Sequence, residues 1–210
     1  MARPREFDRD EALRQAQAEF WARGYEGTSM SDLVRATGLA SARLYAAFGP
    51  KQALFQEAIE LYEREEGGFA DRALAQEPTA RKALERMLHD AVKTYTRPTR
   101  SPAEGDAPAV RPLGCMVVSA ATNCSPANDS VRAWLEQHRT ARTASIVDRL
   151  RDAVENGELA PGADVQALGD AFAALLHGLS VQARDGVPQE RLTALIPPAM
   201  TMLTPHARAD

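Results

Sequence analysis

Residues 28–55, TSMSDLVRATGLASARLYAAFGPKQALF, set two short helices, a tight turn and the opening of a third helix in one stretch. Ser29 with Asp32 three residues on is a helix-start signal, and Leu33, Val34 and Ala36 give the short helix that follows an apolar side. Gly38 stops it, because glycine takes the positive φ that closes a helix C-terminus without steric cost. The chain restarts near Ser41, a good N-cap, and a second helix is expected from Ser41 to Phe48. Its Leu44 and Phe48 lie four apart and face inward, which leaves Ser41, Ala42, Arg43, Tyr45 and Ala46 facing out. Two helices joined by three or four residues with a glycine between them make the helix-turn-helix pattern, whose second helix enters the major groove of DNA.

The flanking chain is helical on the same arguments. A first helix is expected from Asp8 to Arg23, with Leu13, Ala16 and Phe20 on one face and Gly24 as its stop. Gly49-Pro50 breaks the chain before a long helix that starts at Lys51 and carries Leu54, Phe55, Ala58, Ile59 and Tyr62. Further helices are expected around 83–95, over Gly114 to Cys124, from Asp129 to Asn156, from Asp164 to Arg184 and from Gln189 to Leu203, the last disturbed by Pro197-Pro198. Residues 97–113 hold four prolines and one glycine and read as a loop. Abundant alanine and the lack of sustained period-two alternation make the fold class all-α. The expected organisation is an N-terminal three-helix DNA-binding domain over 1–51 and a larger helical domain for ligand binding and dimerisation over 52–210.

Composition sets bounds. The net charge is −4, which by itself disfavours a nucleic-acid partner, but residues 1–51 carry eight basic and seven acidic side chains and the acidic excess lies elsewhere. No run approaches the roughly 18 to 20 apolar residues of a membrane helix, and the opening residues lack the apolar core of a signal peptide. A cytoplasmic location without a membrane partner is the expectation.

Thr28, Ser29, Asp32, Gly38, Leu44, Tyr45, Phe48, Lys51, Ala53, Leu54 and Phe55 resemble the signature of the TetR family of bacterial transcriptional regulators. Arg43 stands where that family more often has Ser or Thr, and Ala46 and Ala47 where His and Tyr are common, which bears on the operator sequence and not on the docking mode. Gly114-Cys115-Met116-Val117-Val118 and the stretch Leu168 to Gly186 are similar to one subfamily's effector domain. The resemblance implies a homodimeric repressor, released from a palindromic double-stranded operator by a small, largely apolar effector.

Roles follow from side-chain chemistry. Arg43 can fork onto guanine edges, while Ser41, Ala42 and Ala46 are short enough to let backbone or methyl groups approach bases. Tyr45, Lys51 and Thr28 are assigned to phosphates, Lys51 with help from the dipole of the helix it begins. Arg3 and Arg5 either reach an adjacent groove or form a solvated tail. One recognition helix spans few base pairs, so a symmetric dimer with half-sites about 34 Å apart is needed. Phe172, Leu175, Leu176 and Leu179, with the small Gly178, are the candidate dimer face; the alternative is that they complete the monomer core.

Met87, Tyr95, Met116, Trp134 and His177 are candidates for an effector pocket, against the plainer reading as core. His89, His138, His177 and His206 show no metal-ligand spacing, and no metal or cofactor is expected. Cys115 and Cys124 raise a thiol-based redox-sensing regulator as an alternative. If both lie on one helix, nine residues set them about 13 Å apart along the axis, too far for an internal disulfide. A small all-helical enzyme or ligand carrier with a structural helix-turn-helix end is the other alternative, but no nucleophile elbow, phosphate loop or close carboxylate pair supports catalysis.

Overall fold

Asp8 opens the first helix: its carboxylate accepts from the backbone N–H groups of Asp10 and Glu11 at 3.0 and 3.1 Å. Helix α1 (Arg9–Arg23) then runs to Gly24, whose φ of +73° ends it. The computed structural model describes residues 8–100, 110–120 and 123–206. Apart from one two-stranded ribbon, the regular structure of those residues is helical, as the composition predicts.

Helix α2 (Met30–Thr37) begins with the expected reciprocal cap, Ser29 accepting from the Asp32 N–H while Asp32 accepts from the Ser29 N–H at 2.8 Å. Gly38 closes it in the left-handed region. Helix α3 covers Ser41–Phe48, with one correction: Ala40 is the N-cap, Ser41 is the first helical residue, and no side chain caps this end. Helix α4 (Lys51–Tyr62) lies against α1, where Phe20 and Phe55 meet edge to face at 5.1 Å. Phe20, Leu33, Leu44, Leu54 and Phe55 are each at most 1% exposed and form the small core that holds the three N-terminal helices together. Burying each such side chain stabilises by about 1.5–3 kcal/mol, so the orientation of α3 is firmly set.

The end of α4 widens into one π-helical turn over Glu63–Gly67, followed by α5 (Phe69–Gln76) and α6 (Ala80–Tyr95). The proline-rich stretch is more ordered at its ends than a plain loop: β1 (Pro98–Arg100) pairs antiparallel with β2 (Val110–Pro112), Pro98 opposite Pro112. Its centre, 101–109, lies outside the described residues, as do Arg3 and Arg5.

The expected continuous helix over Gly114 to Cys124 is one turn only, α7 (Met116–Ser119). Tertiary bonds replace a helical ladder before it. Gly114 has a φ of +67°, its carbonyl accepts from Trp21 Nε1 at 3.2 Å, and the Cys115 N–H donates to Ser180 Oγ at 2.7 Å. Cys115 is thus the N-cap of α7 and Cys124 lies beyond it, so the single-helix spacing argument does not apply; neither cysteine is part of a disulfide.

Helices α8 (Asp129–Glu155) and α9 (Val165–Arg184) match the expected pair and pack along each other. Gly169 marks their close approach, since a Cβ there would lie 2.3 Å from Val147 Cγ2. The expected final helix is split into α10 (Gln189–Thr193), α11 (Ile196–Met200) and a 3₁₀ turn over Thr201–His206. Pro197 and Pro198 have no N–H to continue a ladder, so they sit in the first turn of α11, where none is needed.

Candidate functional site

Helix α3 buries Leu44 and Phe48 and turns Ser41, Ala42, Arg43, Tyr45 and Ala46 outward; Tyr45 is 49% exposed. The first-turn N–H groups of Ser41 and Ala42 have no side-chain cap, so this helix end keeps donors for an anion or a base edge. The end of α2 is different, because Ser29 and Asp32 already close it. Hydrogen bonds from Ser29 pull the Asp32 carboxyl down to about 2.

Arg9, a residue sequence reasoning missed, fixes α3 from behind. Its guanidinium contacts both Glu57 oxygens at 2.8 and 2.9 Å, donates to the Ala47 carbonyl at 3.3 Å, and lies 4.4 Å from the Phe48 ring centroid. One side chain of α1 thereby ties the C-terminal end of α3 to α4.

Two assigned phosphate residues have other surroundings. Thr28 is fully buried and its hydroxyl donates to the Gly24 carbonyl at 2.8 Å, closing the turn between α1 and α2. That corrects its placement on a DNA face, since a side chain bonded inward has nothing to offer a phosphate. Lys51 stands at the start of α4, its ammonium 4.1 Å from the Tyr25 ring centroid. Burial pulls it below its ordinary pKa, with Glu26 acting in the opposite direction.

The helical body carries a small cleft beneath α7, partly open to solvent. Tyr95 and His177, two of the five pocket candidates, line it. Met87 and Met116 do not: both are fully buried as core. Trp134 stands behind the wall, its ring 4.1 Å from that of His138, which does line the cleft. Sequence reasoning missed Tyr62, Glu63, Phe69, Cys115, Arg139 and Arg142, which complete most of the lining. These come from separate helices and the α7 turn, so no single helical period could collect them.

Polar groups in the cleft are unevenly satisfied. His138 Nδ1 pairs with Glu63 at 2.9 Å, Arg142 with Asp71, and Arg139 donates to the Val117 carbonyl at 3.2 Å. The Tyr62 hydroxyl is buried beside the Cys115 thiol, without a nitrogen or oxygen acceptor. Burial, then the neighbouring Cys115 thiol, holds the Tyr62 and Tyr95 phenols well above their ordinary range, so both are protonated donors at neutral pH. Burial, then the charge of Arg139, lowers His177. Among the described residues no group of three or more His, Cys, Asp or Glu side chains is placed to hold a metal ion.

Cleft and DNA-binding end share a wall. The Leu113–Ala120 segment, which presents Cys115, Val117 and Val118 to the cleft, is hydrogen-bonded along its backbone to the end of α1. Ala120 accepts from the Tyr25 N–H at 2.7 Å. Arg184, the last residue of α9, donates to the Ala22 carbonyl at 2.7 Å and to those of Trp21 and Leu113 at 3.2 Å each. Glu26 accepts from the Ser125 N–H and the Asn128 amide at 2.7 and 2.9 Å.

Of the expected dimer residues, Phe172, Leu176 and Leu179 are buried in the protomer itself, and only Leu175 is half-exposed. The choice of face is therefore corrected: at 100° per residue these three point to α6 and α8, while Ala167, Ala171, Ala174, Gly178 and Val181 share the opposite side. Val181 is 51% exposed there, and a Cβ on Gly178 would meet nothing within 4 Å.

A groove-entering helix pair, mounted on a helical body whose cleft abuts it, defines a DNA-binding transcriptional regulator. Residues 12–58 match the model of the bacterial regulatory proteins of the tetR family, and residues 104–194 that of the tetracyclin repressor-like C-terminal domain. The chain is 33% identical over 190 residues to the HTH-type transcriptional repressor ComR of Escherichia coli (strain K12), which covers 90% of this chain and 86% of ComR. It is 26% identical over 192 residues to the repressor BdcR of the same organism, covering 91% and 87%. A cysteine mutant of the TetR family transcriptional regulator CifR, complexed with 26-bp double-strand operator DNA, matches with a TM-score of 0.83 at 36% identity over 95% of this chain and 98% of CifR. The chain belongs to the TetR family. No helix among the described residues is long and apolar enough to cross a membrane.

Proposed function

We propose that the chain is a homodimeric repressor whose residues 1–51 grip a palindromic operator and whose cleft, within residues 52–210, takes the small effector that releases it. The observation that carries this reading is the shared wall: the segment lining the cleft is the one bonded to the end of α1. A ligand that shifts the α7 turn changes the seating of α1 and, through Arg9, of α3. The ligand acts by favouring the protomer arrangement in which the two recognition helices no longer match the groove spacing. The relatives named repressors, and the operator complex of CifR, support the reading.

Arg43 is the base reader, Ser41, Ala42 and Ala46 allow close approach, and Tyr45, with Lys51 and the open start of α4, contacts phosphates. The outward face of α9 around Gly178 and Val181 is the dimer surface, small side chains there letting two helices approach closely. The kinship with named regulators favours an effector site over an active site for the cleft, and turnover of a bound compound would contradict that. A redox role has less support: burial, then Glu26, raises the Cys124 thiol, which disfavours the reactive thiolate.

Gel-shift titration with the DNA upstream of the chain's own gene tests the reading. Arg43→Ala is expected to weaken operator binding by about 1–3 kcal/mol and to relax base preference, whereas Tyr45→Phe weakens all sequences alike. Unchanged affinity and preference in Arg43→Ala would remove the base-reading assignment.

A further inference from the structure

Arg139 is a cationic lining residue without a counter-charge: among the described residues no carboxylate pairs with it, and its single hydrogen bond goes to the Val117 carbonyl. Elsewhere in the cleft Arg142 is paired with Asp71, and Glu63 lies against His138 Nδ1 at 2.9 Å. A guanidinium in a partly desolvated site attracts an anion, and its fork of donors suits a carboxylate. The second observation is the Tyr62 hydroxyl, on a residue 1% exposed, which lines the same cleft beside the weakly polar Cys115 thiol and meets no nitrogen or oxygen acceptor. Buried donors of this kind are usually satisfied. The ring packs into the space left by Gly67, where a Cβ would lie 2.7 Å from Tyr62 Cε1. Around these two donors the wall is apolar, with Phe69, Val118 and Leu176.

Building on the effector reading above, we propose that the cleft takes a small organic acid with an apolar or aromatic body, its carboxylate on Arg139 and one of its oxygens accepting from the Tyr62 hydroxyl. The body lies against Phe69, Val118 and Leu176. The acid brings the missing counter-charge and the missing acceptor at once, which a hydrocarbon, an alcohol or an amine does not do.

Calorimetric titration of the full-length protein with three near-isosteres, phenylacetate, phenylacetamide and phenethylamine, tests this. Phenylacetate is expected to bind at least about tenfold tighter than the amide, and the amine not measurably. Arg139→Gln should bring phenylacetate to the level of the amide. Tyr62→Phe should weaken phenylacetate about five- to tenfold with little change in the melting temperature, since in the free protein the hydroxyl loses only the weak contact with the Cys115 thiol. Equal affinity for acid and amide, binding of the amine, an unaltered Arg139→Gln, or no binding of phenylacetate at millimolar concentration would each overturn the proposal. The titration needs no DNA, so a protein that binds phenylacetate but no operator refutes the repressor reading alone, and the converse refutes this one alone.

Discussion

Replacing Arg184 with Met keeps the apolar stem and removes the guanidinium that joins α9 to the end of α1. Three carbonyls lose a charged donor, those of Trp21, Ala22 and Leu113. The Ala22 contact, at 2.7 Å, has the length of a strong charge-assisted bond, and the two at 3.2 Å are at the weak end. Assigning about 2 kcal/mol to the first and about 0.5 kcal/mol to each of the others gives a loss of about 3 kcal/mol. In a domain of this size 1 kcal/mol moves the melting temperature by about 2–4 °C, so the variant should melt roughly 6–12 °C lower. Thermal unfolding followed by far-UV circular dichroism, at one fixed protein concentration because assembly affects the midpoint, measures this. Arg184→Lys should recover less than half of the loss, since an ammonium cannot span three carbonyls on two segments. Operator affinity should fall with the same rank order, the end of α1 being the base on which the turn to α2 is built. A melting point within about 2 °C of the parent would show that these bonds add nothing beyond solvation, and the coupling through Arg184 would fall with them.

Two other perturbations follow from local geometry and charge. Gly114→Ala puts a Cβ 2.4 Å from the Ser180 carbonyl oxygen on a backbone with φ of +67°, and should cost at least about 3 kcal/mol in denaturant unfolding; Gly162→Ala, with nothing within 4 Å, should be neutral or stabilising. A loss at Gly162 as large as at Gly114 would contradict the steric account. Asp32 has a folded pKa of about 2 against an ordinary 3.8, so its stabilisation is in full force above about pH 4 and disappears as the pH falls toward 2. Asp32→Ala should therefore lower stability by about 1 kcal/mol at neutral pH, with the gap from the parent closing near pH 2 in urea titrations.

Much of the DNA-binding end was legible because its signals are local. The Ser29–Asp32 cap, the left-handed Gly38 and the Leu44–Phe48 spacing act within a few residues, and the same reasoning placed α1, α8 and α9. Where the reading failed, a distant partner had intervened. Thr28 looks like a phosphate contact until the Gly24 carbonyl takes its hydroxyl, and Gly114–Cys124 looks like one buried helix until Trp21, Ser180 and Arg184 claim the backbone that leads into it. Phe172, Leu176 and Leu179 carry the same apolar signal whether they face a second copy or their own α6 and α8.

The sequence by itself determined that the chain is helical, where most helices start and stop, and that an eight-residue helix with Arg43 and Tyr45 facing out follows a glycine turn, because capping, period and turn chemistry are encoded at short range. Only the tertiary structure decided which side of α9 is free, which residues meet around the cleft, and that the wall of that cleft is bonded to α1. Those properties depend on contacts between residues far apart in the chain, whose distances no local pattern specifies.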